Sequence, residues 1–469
     1  MSTEAPSAPP QDEAVRVSVV VPVYNAMPYL QTLMDSLLAQ DLGPEAYEVV
    51  AVDDGSSDDG PQLLDDLAAT HRQLRVVHQD NSGWPGIPRN RGTALARGRY
   101  VFYADADDVM APDALRRMAD LADEHGSDVV VPRSLGVGRY VPDLFAQTQV
   151  DADLEKVFRT LTPQKLFRRS FLEREGLSFP EEKVRLEDGM MLARAYLLAD
   201  RVSFLGGEVA YHLISRDDGQ NISVQDFDPD GYTWSIGEVA RLIRENDPDT
   251  ARADRVVLDL YRRKCLKFYQ PARWSTMPRA RREKFLAAHR RFMDVHIPPA
   301  LEDQLAEPFR TRSRLVRAGD AAGLDLEARE SRDRALVAAL VASATWRRLG
   351  GLRLSVEVHG ARAGEEHRPL HLVLRRRGGD VVETLDLGSP GRVERPEGRP
   401  CVSVFDVSVP PAALSAGAGT TLDLYIQVEG EKDRTRLAAP LVSVLPPARS
   451  GNRVYSTVQN NLSIECGVG

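Results

Sequence analysis

RYVFYADADD, residues 99–108, is the stretch that decides the fold. An aromatic and β-branched run suited to a buried strand stops at three carboxylates, Asp105, Asp107 and Asp108. Outward from it, RVSVVV at 16–21 and YEVVAV at 47–52 read as buried strands, and the second also ends on acids, Asp53 and Asp54. Between these strands Pro28 opens a helix that puts Leu30, Leu33, Leu37 and Leu38 on one face. Ser57 or Asp58 can cap a second helix carrying Leu63, Leu64 and Leu67. LRVVH at 74–78, a helix through Asn90 to Ala96, and DVVVP at 128–132 continue the alternation. Strand and helix in turn predict an α/β, Rossmann-like domain with a largely parallel sheet, whose ligands sit outside the carboxyl ends of the strands. The Asp53 and Asp105 clusters both fall there.

From about Asp226 to Ala344 the texture becomes helical. VVLDLYRRKCLKFY (256–269) and REKFLAAHRRFM (282–293) are amphipathic at helical spacing. Arg262, Arg263, Lys264, Lys267, Arg273, Arg279, Arg281, Arg282 and Lys284 make this region locally basic. From Leu352 onward, LRLSVEVHG, LHLVLRRR, CVSVFDVSV and TLDLYIQV alternate with period two between Gly- and Pro-rich turns, the pattern of an antiparallel, immunoglobulin-like β-sandwich. The expected divisions are a disordered tail at 1–14, a catalytic α/β domain at 15–225, a helical linker at 226–344 and the sandwich at 345–469.

The 469 residues carry 60 basic and 69 acidic side chains, a net charge of −9 that gives no basic excess for nucleic acid. Three widely spaced cysteines argue against a disulfide framework or a zinc site and for a reducing compartment. No apolar run approaches the ~20 residues of a membrane span. The expected location is cytoplasmic, with peripheral association at the inner face of the plasma membrane as an option.

Carboxylates at a strand end suit a hard divalent cation. A second pair, Glu187 and Asp188 in LEDG (186–189), can supply a general base. Together they point to metal-assisted transfer from a phosphorylated donor. Helix capping and solvated loops are the ordinary alternatives for each cluster taken alone.

VSVVVPVYNAMPYLQTLMDSLLAQ, VDDGSSDDG, DNSGWPGIPRNRGTALARGRYVFYADADD and RLEDG, in that order, resemble the family 2 inverting glycosyltransferases of the GT-A fold over about residues 15–225. The three-part layout resembles the bacterial poly(ribitol phosphate) β-N-acetylglucosaminyltransferases of wall teichoic acid. The resemblance implies Mn2+ or Mg2+ as cofactor, held by Asp107 and completed by His212. It implies a UDP-sugar donor, with N-acetylglucosamine as first guess. Asp105 and Ala106 would meet the donor sugar, Pro22, Val23 and Tyr24 the base or ribose, Asp53 or Asp54 a uracil N–H, and Asn81 and Arg89 the uracil. Asp188 would be the base and Glu187 a donor contact. Arg216 and Asn221 would close over the diphosphate or acceptor. A cell-envelope polymer or lipid-linked acceptor, and self-association through the C-terminal domain into a trimer, complete the implied picture. Transfer to another polysaccharide or capsule, a nucleotidyltransferase, and an inactive carbohydrate-binding assembly protein are the competing readings.

Overall fold

The computed structural model describes residues 15–138, 141, 144–145, 147–216, 227–334, 338–348, 350–360, 369–394, 401–429, 434–439, 445–457 and 461–467. The described residues form two compact units, 1–268 with 277–321, and 269–276 with 322–469.

In the first unit the chain runs β1 (Val17–Val23), α1 (Tyr29–Leu38), β2 (Tyr47–Asp53), α2 (Gly60–Ala68), β3 (Leu74–His78), α3 (Gly86–Leu95) and β4 (Tyr100–Tyr103). It continues with β5 (Val109–Met110), α4 (Ala114–His125), β6 (Val129–Pro132), β7 (Ser134–Val137), α5 (Leu154–Val157), β8 (Leu166–Arg168), α6 (Arg169–Arg174), α7 (Glu187–Leu198), β9 (Val202–Leu205) and β10 (Tyr211–Ile214). Seven strands pair in the order β3-β2-β1-β4-β8-β6-β9. The four predicted strands β1 to β4 are parallel, and their carboxyl ends share one edge. β8 breaks the parallel run, lying antiparallel to both β4 and β6. The apolar positions of β1, β2 and β4 are fully buried under α1 and α4, which contribute Leu30, Leu33, Leu37, Leu115 and Met118.

A second, three-stranded sheet sits beyond β4. β10 pairs antiparallel with β5, so that His212 lies opposite Val109, two residues past Asp107. That pairing brings a distant histidine to the acidic strand end.

Helices α8 (Pro229–Asn246), α9 (Thr250–Lys264), α10 (Pro271–Thr276), α11 (Arg279–His296), α12 (Pro299–Glu302), α13 (Phe309–Ala318) and α14 (Ala321–Arg334) follow. α8, α9 and α11 bury one stripe each, including Ile236, Val239, Val257, Tyr261, Phe285 and Phe292. Much of the basic character expected here is neutralised locally. Asp259 accepts from both Arg262 and Arg263 at 2.6 Å, and Glu283 from Arg279 at 2.9 Å. No helix among the described residues is long and apolar enough to cross a membrane.

Besides α10 and most of α14, the second unit holds two antiparallel sheets around one core. β11 (Ala338–Trp346), β12 (Leu352–Gly360), β15 (Arg392–Glu394) and β16 (Cys401–Val409) form the first sheet. The second holds β13 (Leu370–Arg376), β14 (Val381–Asp386), β17 (Thr421–Val428), β18 (Arg434–Arg436), β19 (Arg453–Ser456) and β20 (Leu462–Glu465). Alternate residues such as Leu354, Val356, Leu372, Leu374, Leu424 and Ile426 meet inside. The period-two pattern is that of two half-buried sheets.

α3 is held against β1 by the lack of a side chain at Gly92. A Cβ there would fall 2.4 Å from Val20 Cγ1, on a short branched side chain with nowhere to move. Gly92→Ala is therefore expected to lose about 1–3 kcal/mol of stability, although alanine normally favours a helix. Urea denaturation checks this; a stability equal to or above the parent would show that α3 does not approach β1 so closely.

Candidate active site

The carboxyl ends of β1, β2 and β4 each deliver a polar loop. After β1, Tyr24 is half exposed and Asn25 takes a left-handed φ of 46°. Asn25 Oδ1 accepts from the Ser57 amide at 2.8 Å, and its own amide donates to Ser56 Oγ at 3.0 Å, tying this loop to the one after β2. Arg216 donates to the Asn25 carbonyl at 3.1 Å and lies 5.1 Å from the Tyr29 ring, so the loop after β10 reaches the end of β1. Asn221 lies outside the described residues.

Asp53 and Asp54 differ from the expectation of acceptors open to a base. Both are buried and engaged with protein donors. Asp53 accepts from the Ser56 amide (3.1 Å) and meets His78 Nδ1 (2.9 Å), a hydrogen bond that raises the His78 pKa. Asp54 accepts from Gln79, from the Ser82 amide and from Ser82 Oγ, at 2.6, 3.0 and 2.8 Å. Asn81 is exposed and donates to the Asp54 carbonyl at 3.0 Å. Gly55, at φ +72°, lets this loop close, since a Cβ would stand 2.7 Å from the Asn81 amide nitrogen. These acids build the framework of the loop; Tyr24 and Asn81 are exposed beside it, Pro22 is partly buried, and Val23 is fully buried in the core.

Arg89 also departs from its expected place at a base. It is only 4% exposed, on α3. Its Nη2 donates to Asp105 Oδ1 at 2.9 Å and its Nη1 to Asp188 Oδ1 at 2.6 Å, with Glu187 Oε1 at 3.6 Å. One guanidinium thus joins the strand-end acid to both acids of LEDG, 99 residues away in the case of Asp188. Glu187 and Asp188 occupy the first turn of α7, where the helix dipole favours negative charge. The residue before them, Leu186, has φ +60°, a left-handed conformation that costs a branched residue free energy and is common where side chains must be aimed.

Burial raises the pKa of this acidic pair. Asp188 is pushed up to about 6, against the pull of Arg89. Burial and the neighbouring Asp188 push Glu187 up to about 8, with Arg89 again opposing. Lys165 is the second cation. Burial pushes it down to about 7 while Asp188 and Asp105 hold it up. Its ammonium donates to Thr160 Oγ1, Thr162 Oγ1 and the Thr162 carbonyl.

Asp105, Ala106 and Asp107 are partly exposed, whereas Asp108 is buried. Asp108 accepts from the Ile214 amide at 2.8 Å and fastens β10 to the acidic loop; burial, with Asp105 and Asp107 nearby, pushes it up to about 8. The Tyr211 hydroxyl accepts from the Asp105 amide at 3.2 Å. Among the described residues no group of three or more His, Cys, Asp or Glu is arranged as a metal cage. His212 Nδ1, however, is buried without a hydrogen-bond partner. One carboxylate and one imidazole fit a cation that draws its remaining oxygen ligands from a diphosphate.

Sequence reasoning missed Gln164, Tyr211 and Trp84. Gln164 Nε2 donates to Asp105 Oδ2 at 2.5 Å, and Trp84 lies beside Glu187 with its buried N–H making no regular hydrogen bond. Only the tryptophan carried a signal, as a lone aromatic in the DNSGWPG segment.

Residues 18–180 match the family model for glycosyl transferase family 2, and residues 229–328 match the glycosyl transferase TarS linker domain. The poly(ribitol-phosphate) beta-glucosyltransferase of Bacillus spizizenii is 30% identical over 68% of this chain and 51% of its own length. The poly(ribitol-phosphate) beta-N-acetylglucosaminyltransferase TarS of Staphylococcus aureus is 33% identical over 53% of this chain and 44% of its own. The chain thus spans about half the length of these relatives. The structure of S. aureus TarS 1–349 in complex with UDP-GlcNAc superposes with a TM-score of 0.61 at 26% identity, covering 72% of this chain and 96% of that one. Full TarS superposes over 96% of this chain with a TM-score of 0.64 at 22% identity, a likeness of fold.

Removing the guanidinium should expose how much it carries. Arg89→Met leaves three acids without their shared counter-charge and is expected to cost about 3 kcal/mol or more at pH 7.5. A carboxyl held above its ordinary pKa destabilises the fold as pH climbs from the ordinary value to the raised one. The deficit of the variant should therefore grow between pH 5 and pH 8. Denaturant titrations at both pH values check this; a deficit that shrinks with rising pH would contradict the assignment.

Proposed function

We propose, from the premise that residues 18–180 are a glycosyltransferase family 2 domain, that this chain is an inverting glycosyltransferase moving a sugar from UDP to a hydroxyl of a polyol-phosphate polymer. The observation that carries the reading is the Arg89 clamp, which sets Asp188 at the mouth of α7 beside the strand-end acids. In the proposed reaction the acceptor oxygen forms a bond to the anomeric carbon while the bond from that carbon to the diphosphate oxygen breaks. UDP leaves with the electron pair, and the acceptor proton passes to Asp188. Arg89 occupies Oδ1, so Oδ2 is the oxygen that takes the proton. A base with a pKa near 6 is ionised at neutral pH yet basic enough to help. Glu187, whose carboxyl burial and Asp188 push up, would orient the donor.

Asp107 and His212 would hold Mn2+ or Mg2+, which when bound supplies Lewis-acid neutralisation of the departing diphosphate. Pro22, Val23, Tyr24 and Asn81 would frame the uridine, with Asp53 and Asp54 fixing the loop behind them. Asp105 and Ala106 would meet the sugar, and Arg216 the diphosphate.

For the acceptor, a cleft of about 570 Å3 is lined by Phe227, Asp228, Pro229, Pro278, Ala280, Arg281 and Lys284. Arg185 and Arg281 both lie over the Phe227 ring, at 5.4 and 5.2 Å. Such a basic and aromatic wall supports a phosphate-bearing chain as acceptor. We assign 15–225 to catalysis, 226–344 to the linker and acceptor side, and 345–469 to self-association, in a peripheral protein of the cytoplasmic membrane face. Whether the donor is UDP-N-acetylglucosamine or UDP-glucose is decided by a donor panel on poly(ribitol phosphate) read by mass spectrometry. No transfer from any UDP-sugar would end the proposal.

Two outcomes follow. Asp188→Asn should lower transfer by about 10³-fold while leaving UDP affinity within about twofold, and the wild-type kcat/KM should fall below about pH 6 as the base takes up its proton. A flat profile between pH 5 and pH 7 would remove Asp188 from this role. EDTA should abolish UDP release, and Mn2+ or Mg2+ should restore it in the wild type but not in Asp107→Ala; full activity in EDTA would refute the cation.

A further inference from the structure

The segment between α5 and β8 holds a residue that no part of the mechanism above uses. Gln164 is 2% exposed. Its Nε2 lies 2.5 Å from Asp105 Oδ2, and a carboxylate oxygen whose partner oxygen is already bound by Arg89 accepts here and does not donate. That fixes the amide: nitrogen toward Asp105, oxygen away from it. Gln164 Oε1 is buried and has no hydrogen-bond partner. A buried acceptor left unmade is costly, of the order of 1–3 kcal/mol in general, and a donor arriving beside Asp105 would relieve that cost.

The loop is set before any ligand binds. Lys165 fastens residues 160–162 through three hydrogen bonds, its amide donates to the Pro163 carbonyl at 2.6 Å, and the Tyr196 hydroxyl of α7 donates to the Thr160 carbonyl at 2.8 Å. Gln164 is therefore held from both sides, and its oxygen cannot swing out to water without breaking the Asp105 contact.

A lone acceptor selects among the parts of a nucleotide sugar. The diphosphate offers only oxygens that would repel it. The sugar offers uncharged O–H groups and, in an acetamido sugar, an N–H. We propose that Gln164 is a specificity-determining residue whose amide oxygen accepts a hydrogen bond from an uncharged O–H or N–H of the donor sugar, while its amide nitrogen holds Asp105 in place. This rests on the reading above that a UDP-sugar lies over Asp105, and it adds a second protein contact to the sugar.

The test is calorimetric titration of the full chain and of Gln164→Leu with UDP, UDP-glucose and UDP-N-acetylglucosamine. UDP should bind both proteins within about twofold. The ratio of the UDP-sugar Kd to the UDP Kd should rise about tenfold in the variant, as expected when a buried polar contact to the substrate is removed. A rise with both sugars identifies a hydroxyl common to them, and a rise with the acetamido sugar alone identifies its N–H; either supports the assignment. An unchanged ratio for both sugars overturns it. Should Gln164→Leu fail to bind UDP, Gln164→Asn, which keeps the amide but shortens its reach, is expected to show the same rise, and wild-type ratios in that variant overturn the assignment. A wild-type chain that binds no UDP would instead sink the donor reading and this inference with it.

Discussion

The buried guanidinium of Arg89 is the constraint on which the candidate site rests. Three carboxyl groups from β4 and α7 converge on it, and none of them could be brought so close to the others without a cation between them. Arg89 supplies the shared positive charge, Lys165 and Lys264 are further buried cations that interact with Asp188, and burial pushes the Glu187 carboxyl up. A neutral cluster with one shared cation can be buried at tolerable cost, whereas the same acids without it could not.

That clamp depends in turn on backbone placement. Gly92 lets α3 lie close on β1, which brings Arg89 beneath the strand ends. Leu186 turns the chain through a left-handed residue so that α7 begins with both acids facing the same cation. Asp108, fastened to the Ile214 amide, keeps β10 and His212 beside the acidic loop. Packing, strain and charge thus all converge on one region outside the strand ends, where ligands of parallel sheets are expected.

How much of this was legible in the chain follows from the range of each signal. β1, β2 and β4 announce themselves because a fully buried strand must be apolar throughout, and the sandwich because half-buried strands must alternate. β8 was hidden. LFR is three residues long, and its place between β4 and β6 is set by non-local pairing that no local pattern encodes. Asp105 and Asp107 stood out as acids after an apolar run, and Asp188 through the carboxylate pair of LEDG and the family resemblance that falls on it. Arg89 looked like a nucleotide contact because its neighbours in the chain belong to that loop, yet its side chain runs inward to partners 16 and 99 residues away. Asp53 and Asp54 show the opposite ambiguity: an acid at a strand end can serve a ligand or the loop itself, and here loop donors already engage both carboxylates. Basic runs in the helical region read as one surface, but acids three or four residues off along the same helices pair with several of them.

The commitment of the internal cations has a consequence for the leaving group. Arg89 and Lys165 are buried positive charges beside the acids, and both are already matched to carboxylates or to the Thr160 loop. Neither can also meet a diphosphate without releasing Asp188 or undoing the loop that positions Gln164. In the proposed transfer, the charge that builds on a departing UDP would be met from the other side of the site. There the chain places Arg216 over Tyr29 and an unpartnered imidazole nitrogen on the strand paired with β5. For the proposed transfer the arrangement separates two electrostatic tasks: Arg89 and Lys165 lie against the acids, and Arg216, with any cation held at Asp107 and His212, would face the leaving group.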